Sequence, residues 1–465
     1  MKEFSTKFQK SILFTIKIVM YGLALATFFV LFSFDNPEIL DLSRTAAVTL
    51  STYVIMLYLL SNIYGGFEIG IKRRREVAVS LILTGLITDF ITYFELTIMK
   101  TNEANNQTFT IENVGVLVAV IVIQFVIFIA FTIIGNNFYF WINEAEKCLI
   151  IADSLDGAKR VSIAMSMFKS KYRINEIISI TDTDLENKML QADTIVMYDI
   201  PVDKRTEIVD FCYKNLKNIY YNPSIADILE QSSKTTIIDD IPFFSWEFHV
   251  LSFEQRIIKR LMDVAISFVA LVITSPIFII SAILIKKYDG GSVIFKQKRA
   301  TVNGKVFDIY KFRTMKENVE NKSTFVGDDR ITPIGKTLRK YRIDELPQLI
   351  NILKGDMSLV GPRPEMLENV DEYTKDLPEF IYRLRMKAGL TGYAQIIGKY
   401  NTSSRDKLML DLLYIENYSI LKDIQLLFRT ILVIFKAEDS TAAFDNGNEA
   451  VKALSEEISK DGKDK

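Results

Sequence analysis

The chain has 465 residues, and its 56 basic and 57 acidic residues nearly cancel, so the net charge alone indicates no particular partner. One histidine and two cysteines argue against a zinc site and against a disulfide framework. The length allows about three domains. The apolar residues are concentrated in blocks, which is typical of a membrane protein rather than of a single soluble core.

Four apolar stretches fill the first third of the chain. Each is long enough, at about 20 residues, to cross a bilayer. No small-residue cleavage site follows the first stretch, so we do not expect a signal peptide. We therefore predict a four-helix transmembrane bundle within residues 1–140, with spans at 11–34, 45–65, 76–99 and 112–135.

The charges in the loops predict how this bundle is oriented. Lys2, Lys7 and Lys10 precede the first span, and residues 72–75 between the second and third spans are basic, whereas the other two loops carry acids. By the positive-inside rule, both ends of the bundle are cytoplasmic. Both cysteines come later, on the same reducing side, so we expect them to stay unpaired.

Two acids, Asp89 and Glu95, fall within the third span. Intramembrane acids mark ion pathways in transporters, but they also form hydrogen bonds inside a bundle or lie near an interface. The sequence favours the structural interpretation and leaves the transport interpretation open.

Residues 145–245 alternate short apolar runs with helical stretches, which is typical of a small parallel α/β domain. The strand-to-helix turn at 153–157 lacks the glycines of a pyrophosphate-binding turn and carries two acids. We therefore expect a structural or regulatory module that binds no nucleotide. We predict buried strands at 148–152, 177–180, 194–198, 219–221 and 235–238, and helices at 158–171 and 204–215.

A third part begins near residue 253. Residues 262–285 are apolar enough to span a membrane, but Ser275 and Pro276 interrupt them at the centre, and the basic pairs Lys259-Arg260 and 286–287 bracket them. Proline kinks a helix, and the Ser275 hydroxyl can satisfy a carbonyl that proline leaves free. We predict a helix that breaks here and re-enters the cytoplasmic face as a hairpin; a fifth span with a proline kink is the alternative.

The segment after this hairpin is basic, since residues 286–363 hold 17 Lys or Arg and 9 Asp or Glu. Such an excess suits anionic lipid headgroups or phosphate substrates, and a membrane-bound segment argues against nucleic acid as the partner. Residues 420–436 have an apolar face interrupted by charges, and we predict an interfacial amphipathic helix. Residues 437–465 are polar, and we predict a disordered tail.

We expect the chemistry to lie in residues 342–349, Arg-Ile-Asp-Glu-Leu-Pro-Gln-Leu. The apolar spacing from Leu346 and a stop at Gly355 indicate a short helix. Asp344 and Glu345 then lie near the positive end of its dipole, where a carboxylate stays ionised, as a nucleophile or a metal ligand requires. A helix cap with a solvated charge cluster is the alternative.

Several motifs occur together in one order: Lys259-Arg260 with Asp263, Ser275-Pro276, and residues 310–315, 344–349, 355–365, 389–392 and 414–417. With these motifs, residues 253–436 resemble the bacterial polyprenyl-phosphate glycosyl-1-phosphate transferases of the monotopic sugar-transferase superfamily. The whole chain resembles their larger members. The resemblance implies an α/β membrane protein: a transmembrane bundle, a degenerate Rossmann-like domain, and an α-rich catalytic domain with a re-entrant helix.

The resemblance also implies a covalent mechanism. Asp344 would attack the sugar-linked phosphate of a uridine diphosphate (UDP) sugar, release uridine monophosphate (UMP), and hold the sugar phosphate until undecaprenyl phosphate takes it. Glu345 would assist as metal ligand or as acid and base, and Mg²⁺, held by Asp344 and Glu345, is the implied ion. Arg363, between two prolines, and Arg339 are the implied phosphate ligands.

Other residues of these motifs keep two interpretations. Lys311 and Arg313 either contact substrate or lipid, or lie on a solvated strand face. Asp263 is expected to pair with a basic residue and, with Lys259 and Arg260, to fix the angle of the hairpin.

One position departs from the family pattern. Thr301 stands where a glycine is usual, which puts the conformation of that turn in doubt. The sequence does not identify the sugar, whose pocket we expect on residues 318–329 and 387–404.

Three functions remain open on the sequence alone. The leading one is an enzyme that initiates lipid-linked polysaccharide or exopolysaccharide synthesis at the bacterial inner membrane, as a multi-pass protein with its catalytic domain on the cytoplasmic face, in contact with inner-membrane lipids. A transporter that uses Asp89 and Glu95 is the second, and a scaffold of a polysaccharide assembly complex is the third. A bundle with an additional α/β domain is also compatible with a homodimer.

Overall fold

The structure, a computed structural model, describes residues 9–103, 110–246, 251–317, 328–398 and 403–435. The chain forms two compact units, Met1–Asn222 and Pro223–Lys465. The predicted disordered tail at 437–465 lies outside the described residues, as does most of the loop at 318–329.

The first unit begins with four long helices, α1 (Gln9–Ser33), α2 (Arg44–Tyr64), α3 (Arg74–Glu103) and α4 (Val114–Ile142). Each is long and apolar enough to cross a membrane, as the sequence predicted. Large side chains, among them Phe28, Tyr53 and Phe128, are fully buried between the helices. Apolar residues such as Val126 and Ile134 point outward, as expected of a surface that faces lipid.

Both intramembrane acids form hydrogen bonds between helices. The side-chain amide of Gln124 on α4 donates to Asp89 Oδ1 on α3 at 3.1 Å and to the Tyr53 hydroxyl on α2 at 2.9 Å. The Thr52 hydroxyl donates to Glu95 Oε1 at 3.0 Å. Such bonds help to hold transmembrane helices together, so the contacts of Asp89 and Glu95 support the structural interpretation.

A four-stranded parallel sheet in the order β2-β1-β3-β4 follows the bundle. Residues 148–152 of β1 are all buried, because helices cover both faces of such a sheet. The predicted strands and helices of this region are present up to residue 221, and the sequence analysis missed only the short α6. The elements are β1 (Glu146–Ala152), α5 (Leu155–Ser166), β2 (Tyr172–Ile178), α6 (Leu185–Gln191), β3 (Thr194–Tyr198), α7 (Val202–Lys214) and β4 (Asn218–Tyr221).

The turn after β1 is closed by an aromatic ring. Ser154 caps α5 by accepting a hydrogen bond from the Gly157 amide at 3.1 Å. A Cβ atom added to Gly157 would lie 2.8 Å from the Tyr198 ring, so Tyr198 fills the space beside the helix start. The absence of a nucleotide from this domain stays a prediction.

The sheet ends earlier than the sequence predicted. Helix α8 (Ile225–Gln231) belongs to the second unit, where Ile228 is buried in the main core. Residues 235–238, predicted as a buried strand, form part of β5 (Lys234–Ile238), which pairs antiparallel with β6 (Ile241–Ser245) and is exposed throughout. The strand is present, but its predicted burial was wrong. Asp239, with a φ of 59°, turns the chain back into a hairpin with a two-residue loop.

Helix α9 (Phe253–Asp289) is a single helix of 37 residues. The chain remains helical through Ser275 and Pro276, so the proline lies inside one continuous helix, and the re-entrant hairpin stays a prediction. The Ser275 hydroxyl donates to the Val272 carbonyl at 2.8 Å, and this is the carbonyl that loses its usual partner because Pro276 has no N–H. The hydroxyl thus compensates for the proline, as predicted.

The remaining elements of the second unit surround one core that contains Ile309, Leu349, Ile352, Leu359 and Leu412. Strands β7 and β8 form an antiparallel pair, and β9 and β10 form a short parallel pair. The elements are β7 (Ile294–Ala300), β8 (Val306–Phe312), α10 (Pro333–Lys340), α11 (Gln348–Lys354), β9 (Ser358–Val360), α12 (Leu367–Asp376), β10 (Gly389–Thr391), α13 (Tyr393–Ile396), α14 (Ser404–Glu416) and α15 (Ile420–Phe435).

Candidate active site

The acidic pair lies in a tight turn between α10 and α11. Arg342 adopts a left-handed conformation with a φ of 55°, which costs a non-glycine residue about 1 kcal/mol. A one-turn 3₁₀ helix, Ile343–Glu345, follows and brings Asp344 into a buried position. Helix α11 then ends at Gly355, as predicted, with a φ of 92° that suits glycine.

Three basic side chains from separate segments surround the carboxylate of Glu345. Lys311 Nζ on β8 lies 3.0 Å from Glu345 Oε1, and Arg363 Nη2 lies 3.6 Å from the same oxygen. Arg342 Nη1 lies 3.8 Å from Oε2. Burial acts to raise the pKa of Glu345, but these three cations outweigh it and hold the pKa well below its usual range. Glu345 therefore carries a negative charge across the physiological pH range.

Asp344 has a different environment although it is the next residue. It is 9% exposed, and among the described residues no group forms a hydrogen bond or an ion pair with its carboxylate. Burial and the adjacent charge of Glu345 raise its pKa, while Lys311, Arg339 and others act in the opposite direction. The two neighbouring carboxylates therefore differ: Glu345 is ion-paired, and Asp344, among the described residues, is not.

A buried cluster of ion pairs fixes the backbone of the loop that carries Arg363. Arg383 Nη2 donates to the Arg363 carbonyl at 2.6 Å and lies 2.6 Å from Asp411 Oδ2. Glu365 Oε1 lies 3.3 Å from Lys407 Nζ and 3.8 Å from Arg383 Nη1. Because Arg383 and Asp411 are buried, they hold the backbone while the Arg363 side chain stays 41% exposed.

The family described as bacterial sugar transferase matches residues 254–437, which include all of these groups. A UDP-N-acetylgalactosamine-undecaprenyl-phosphate N-acetylgalactosaminephosphotransferase of Aeromonas hydrophila is 42% identical over 183 residues, 38% of this chain and 43% of that protein. A UDP-glucose:undecaprenyl-phosphate glucose-1-phosphate transferase of Caulobacter vibrioides is 36% identical over 181 residues, 37% of this chain and 68% of that protein. An uncharacterized sugar transferase of Bacillus subtilis, EpsL, is 39% identical over 183 residues.

The Bacillus subtilis match covers 39% of this chain and 89% of that relative, so this portion of the chain corresponds to nearly a whole relative. The chain belongs to the bacterial sugar transferase family. It nevertheless spans less than half the length of the Aeromonas hydrophila protein. In this bacterial sugar transferase, the matched residues lie within the second unit, with the acidic turn near their centre.

The structure brings together four of the six residues that the sequence named for catalysis and phosphate binding. Asp344, Glu345, Lys311 and Arg363 lie together as described above. The side chain of Arg339 is directed to Thr314, whose hydroxyl accepts a hydrogen bond from its Nε at 2.9 Å. Its positive charge still acts to lower the pKa of Asp344.

Arg313 lies away from the acidic pair. It is buried and forms a two-pronged ion pair with Asp289 at the end of α9. Its burial excludes the solvated strand face, and a contact with substrate or lipid stays a prediction. Strand alternation would place Arg313 on the same face as Lys311, but β8 ends at Phe312, so Arg313 lies beyond the strand and pairs with Asp289.

The predicted hairpin anchors connect α9 to the segments that carry the site. Lys259 Nζ donates to the Val360 carbonyl at 2.9 Å and pairs with Asp423 Oδ2 at 2.6 Å. Arg260 donates to the Ile352 and Leu353 carbonyls at 2.6 and 2.7 Å, which caps the C-terminal end of α11.

Asp263 does not pair with a basic residue as expected. Its Oδ1 accepts hydrogen bonds from the Ser358 hydroxyl at 3.1 Å and the Leu359 amide at 2.9 Å. The expectation was wrong because the edge of β9 offers neutral donors at the place where Asp263 is buried.

Asp423, one of the charges that interrupt the apolar face of residues 420–436 in the sequence, is fully buried. It accepts a hydrogen bond from the Tyr414 hydroxyl at 2.7 Å and pairs with Lys259. Asp423, Arg383 and Asp411 were all missed as supporting residues. A charge within an otherwise apolar helix face was the one available signal, and it did not identify a partner 164 positions away.

The site fits Mg²⁺ through Asp344. Among the residues that the structure describes, no three Asp, Glu, His or Cys side chains come together as a metal site. Mg²⁺ is often bound by one or two carboxylates, with the remaining ligands taken from phosphates and water. The carboxylate of Asp344 suits this use, whereas Glu345 Oε1 already faces Lys311 and Arg363.

Proposed function

We propose that the protein transfers a sugar 1-phosphate from a UDP-sugar to undecaprenyl phosphate at the cytoplasmic membrane face, and so initiates exopolysaccharide or another lipid-linked glycan. The observation that carries this proposal is the buried carboxylate of Asp344, which has no hydrogen-bond or ion-pair partner among the described residues, beside Glu345, whose charge is neutralised by three cations. Relatives over the same segment are named for transfers of this kind.

In the first step, an oxygen of Asp344 forms a bond to the sugar-linked phosphorus, and the bond from that phosphorus to the UMP phosphate breaks. UMP leaves with the bonding electron pair, and the enzyme holds an aspartyl phosphosugar. The raised pKa of Asp344 makes it a better nucleophile than an ordinary carboxylate while it remains ionised near neutral pH.

In the second step, an oxygen of undecaprenyl phosphate attacks the same phosphorus. The bond to Asp344 breaks and returns a free carboxylate, so the cycle consumes no proton. The transfer from one phosphate anion to another is thus divided into two displacements. The same cationic groups can stabilise the transition state of each one.

The geometry favours an electrostatic role for Glu345. A carboxylate whose pKa is depressed by surrounding cations is a weak base, which argues against acid and base catalysis. Glu345 instead holds Lys311 and Arg363 next to Asp344. Arg363, with its exposed guanidinium, is then placed to contact a substrate phosphate.

Mg²⁺ remains a proposal. Asp344 would hold the ion, with Glu345 as a further candidate ligand, and the ion would neutralise charge on the transferring phosphate.

The re-entrant placement of α9 is supported by the contacts of its two ends. Lys259 near its start bonds to Val360, and Phe278 and Asp289 in its second half contact Phe312 and Arg313. All three partners belong to the same unit. A straight span would place the two ends on opposite faces of the membrane, so these contacts favour a helix that enters and leaves on one face. Homodimer formation stays a prediction.

The experiment is a UMP-release assay on protein in lipid nanodiscs, with undecaprenyl phosphate and a panel of UDP-sugars. We expect multiple turnovers only with both substrates, and a loss of at least about a thousandfold in Asp344→Asn. Asp308→Asn, on an exposed position of β8, is the matched control and should keep full activity.

The competing functions give different results with variants of the same residues. Activity that survives Asp344→Asn and disappears in Asp89→Asn would favour a transporter. Normal glycan production in cells that carry only Asp344→Asn would favour a scaffold.

A further inference from the structure

Arg299, at the end of β7, lies against the loop that carries Arg363. Its Nη1 donates to the Pro364 carbonyl at 3.3 Å and its Nη2 donates to Gln297 Oε1 at 2.5 Å. Its backbone also forms an isolated bridge with Met366.

The turn at Thr301 is rigid in spite of the missing glycine. Thr301 is buried; its hydroxyl donates to the Asp356 carbonyl at 3.2 Å and accepts from the Ala388 amide at 3.0 Å. Arg299, two residues earlier, therefore precedes a fixed turn.

The charge of Arg299 is not neutralised by a paired carboxylate. Within the described ranges, no Asp or Glu oxygen lies at ion-pair distance from its guanidinium, and its Nε is buried without an acceptor. Burial and the neighbouring positive charge of Arg363 lower the pKa of Arg299 to about 10. Holding two guanidinium groups close together is unfavourable unless an anion lies between them.

Glu365, Glu368 and Glu345 act on Arg299 and raise its pKa, but they form no ion pair with it among the described residues, and burial and Arg363 outweigh them. The negative charge of Glu345 is already shared by Lys311, Arg342 and Arg363. Glu365 faces Arg383 and Lys407. The site therefore has an excess of positive charge on the side of Arg299 and Arg363, which suits a phosphate.

We propose that Arg299 and Arg363 together form a subsite for the phosphate group that lies opposite Asp344 in both steps. This inference rests on the proposed function. Displacement at phosphorus proceeds in line, so the UMP phosphate that leaves and the lipid phosphate that attacks occupy the same position relative to Asp344. One pair of guanidinium groups can then serve both phosphates, because each terminal nitrogen of Arg299 has a second N–H besides the one it donates to Pro364 or Gln297.

The test compares binding of UDP and of uridine to the full-length protein in nanodiscs. Arg299→Met should weaken UDP binding tenfold to a hundredfold and leave uridine binding unchanged, because only UDP carries phosphates. Arg299→Lys keeps the charge but loses the planar fork, so it should fall between Arg299→Met and the wild type. Lys298→Met, on the exposed side of the same strand, is the matched control and should bind UDP normally.

A second measurement distinguishes the role of Arg299 at the donor phosphate from its role at the acceptor phosphate. Single-turnover UMP release without lipid reports the donor phosphate, and transfer to undecaprenyl phosphate reports the acceptor phosphate. The subsite is supported if Arg299→Met slows either step and reduces UDP binding or lipid transfer. The unfolding temperature should stay that of the wild type.

The proposal is overturned if Arg299→Met binds UDP within twofold of the wild type and retains both steps. It is also overturned if uridine and UDP binding weaken equally, since that result indicates a structural role. A wild-type protein that binds UDP through Arg299 but releases no UMP from any donor would instead refute the proposed function and leave the anion subsite standing.

Discussion

Lys259 on α9 and Asp423 on α15 form a buried ion pair, with 2.6 Å between Nζ and Oδ2. The Tyr414 hydroxyl donates to the other oxygen of Asp423, and Lys259 also donates to the carbonyl of Val360, three residues before Arg363. The apolar helix, the amphipathic helix and the Arg363 loop therefore meet at one polar centre.

Removing one partner of this pair should be costly. Asp423→Asn leaves the Lys259 ammonium buried without its counter-charge, which we expect to destabilise the second unit by about 3–5 kcal/mol. A fluorescence-monitored thermal unfolding scan should show a clearly lower midpoint. The double replacement Lys259→Met with Asp423→Leu should recover much of the loss, since no charge is then left buried.

The matched control is Asp371→Asn on α12, an exposed carboxylate of the same unit. Its change should lie within about 0.5 kcal/mol. An Asp423→Asn protein that unfolds at the wild-type temperature would show that the pair contributes little.

The rate of the first step should depend on pH through Asp344. Its pKa is raised by burial and by the charge of Glu345, and only the ionised form attacks phosphorus. Activity is therefore expected to fall on acidification at a higher pH than the value of about 4 for an ordinary aspartate. Single-turnover UMP release measured across pH gives this acidic limb directly.

Glu345→Gln tests whether the charge of Glu345 raises the pKa of Asp344. It removes the adjacent negative charge, so the acidic limb should move to lower pH. The maximal rate should also fall, because Lys311 and Arg363 lose the group that holds them. An acidic limb that stays in place would mean that Glu345 does not control the ionisation of Asp344.

Much of the local structure could be predicted from the sequence because its signals are local. Apolar length predicted the four helices of the bundle, and Gly355 predicted the end of α11. The bond from Ser275 to Val272 followed from the missing N–H of Pro276. In each case, the determining atoms lie within a few residues of one another.

The failures concern contacts between distant residues. The sequence predicts a basic partner for Asp263, a substrate or lipid contact or a solvated face for Arg313, and an interfacial charge for Asp423. In the structure each is buried against a partner from another segment. Asp344 was expected to stay ionised because of a helix dipole, but its burial and Glu345 act more strongly and raise its pKa. Burial depends on the packing of the whole unit, which residue spacing does not reveal.

The orientation of α9 can be tested with single cysteines and a membrane-impermeant maleimide on intact spheroplasts. Ser252→Cys and Ser292→Cys flank the two ends of the helix, and both should resist labelling from outside. Leu42→Cys, in the exposed loop between α1 and α2, should react and serves as the control. External labelling of Ser292→Cys would indicate a fifth transmembrane span.

The covalent step on Asp344 is tested most directly by intact-protein mass spectrometry after rapid acid quench. The protein is incubated without lipid acceptor, using a UDP-sugar that supports UMP release. We expect a mass increase of one sugar phosphate on the peptide that contains Asp344. The adduct should disappear when undecaprenyl phosphate is added and should not form in Asp344→Asn. Steady turnover with no adduct at any quench time, or an adduct on a different residue, would contradict the mechanism.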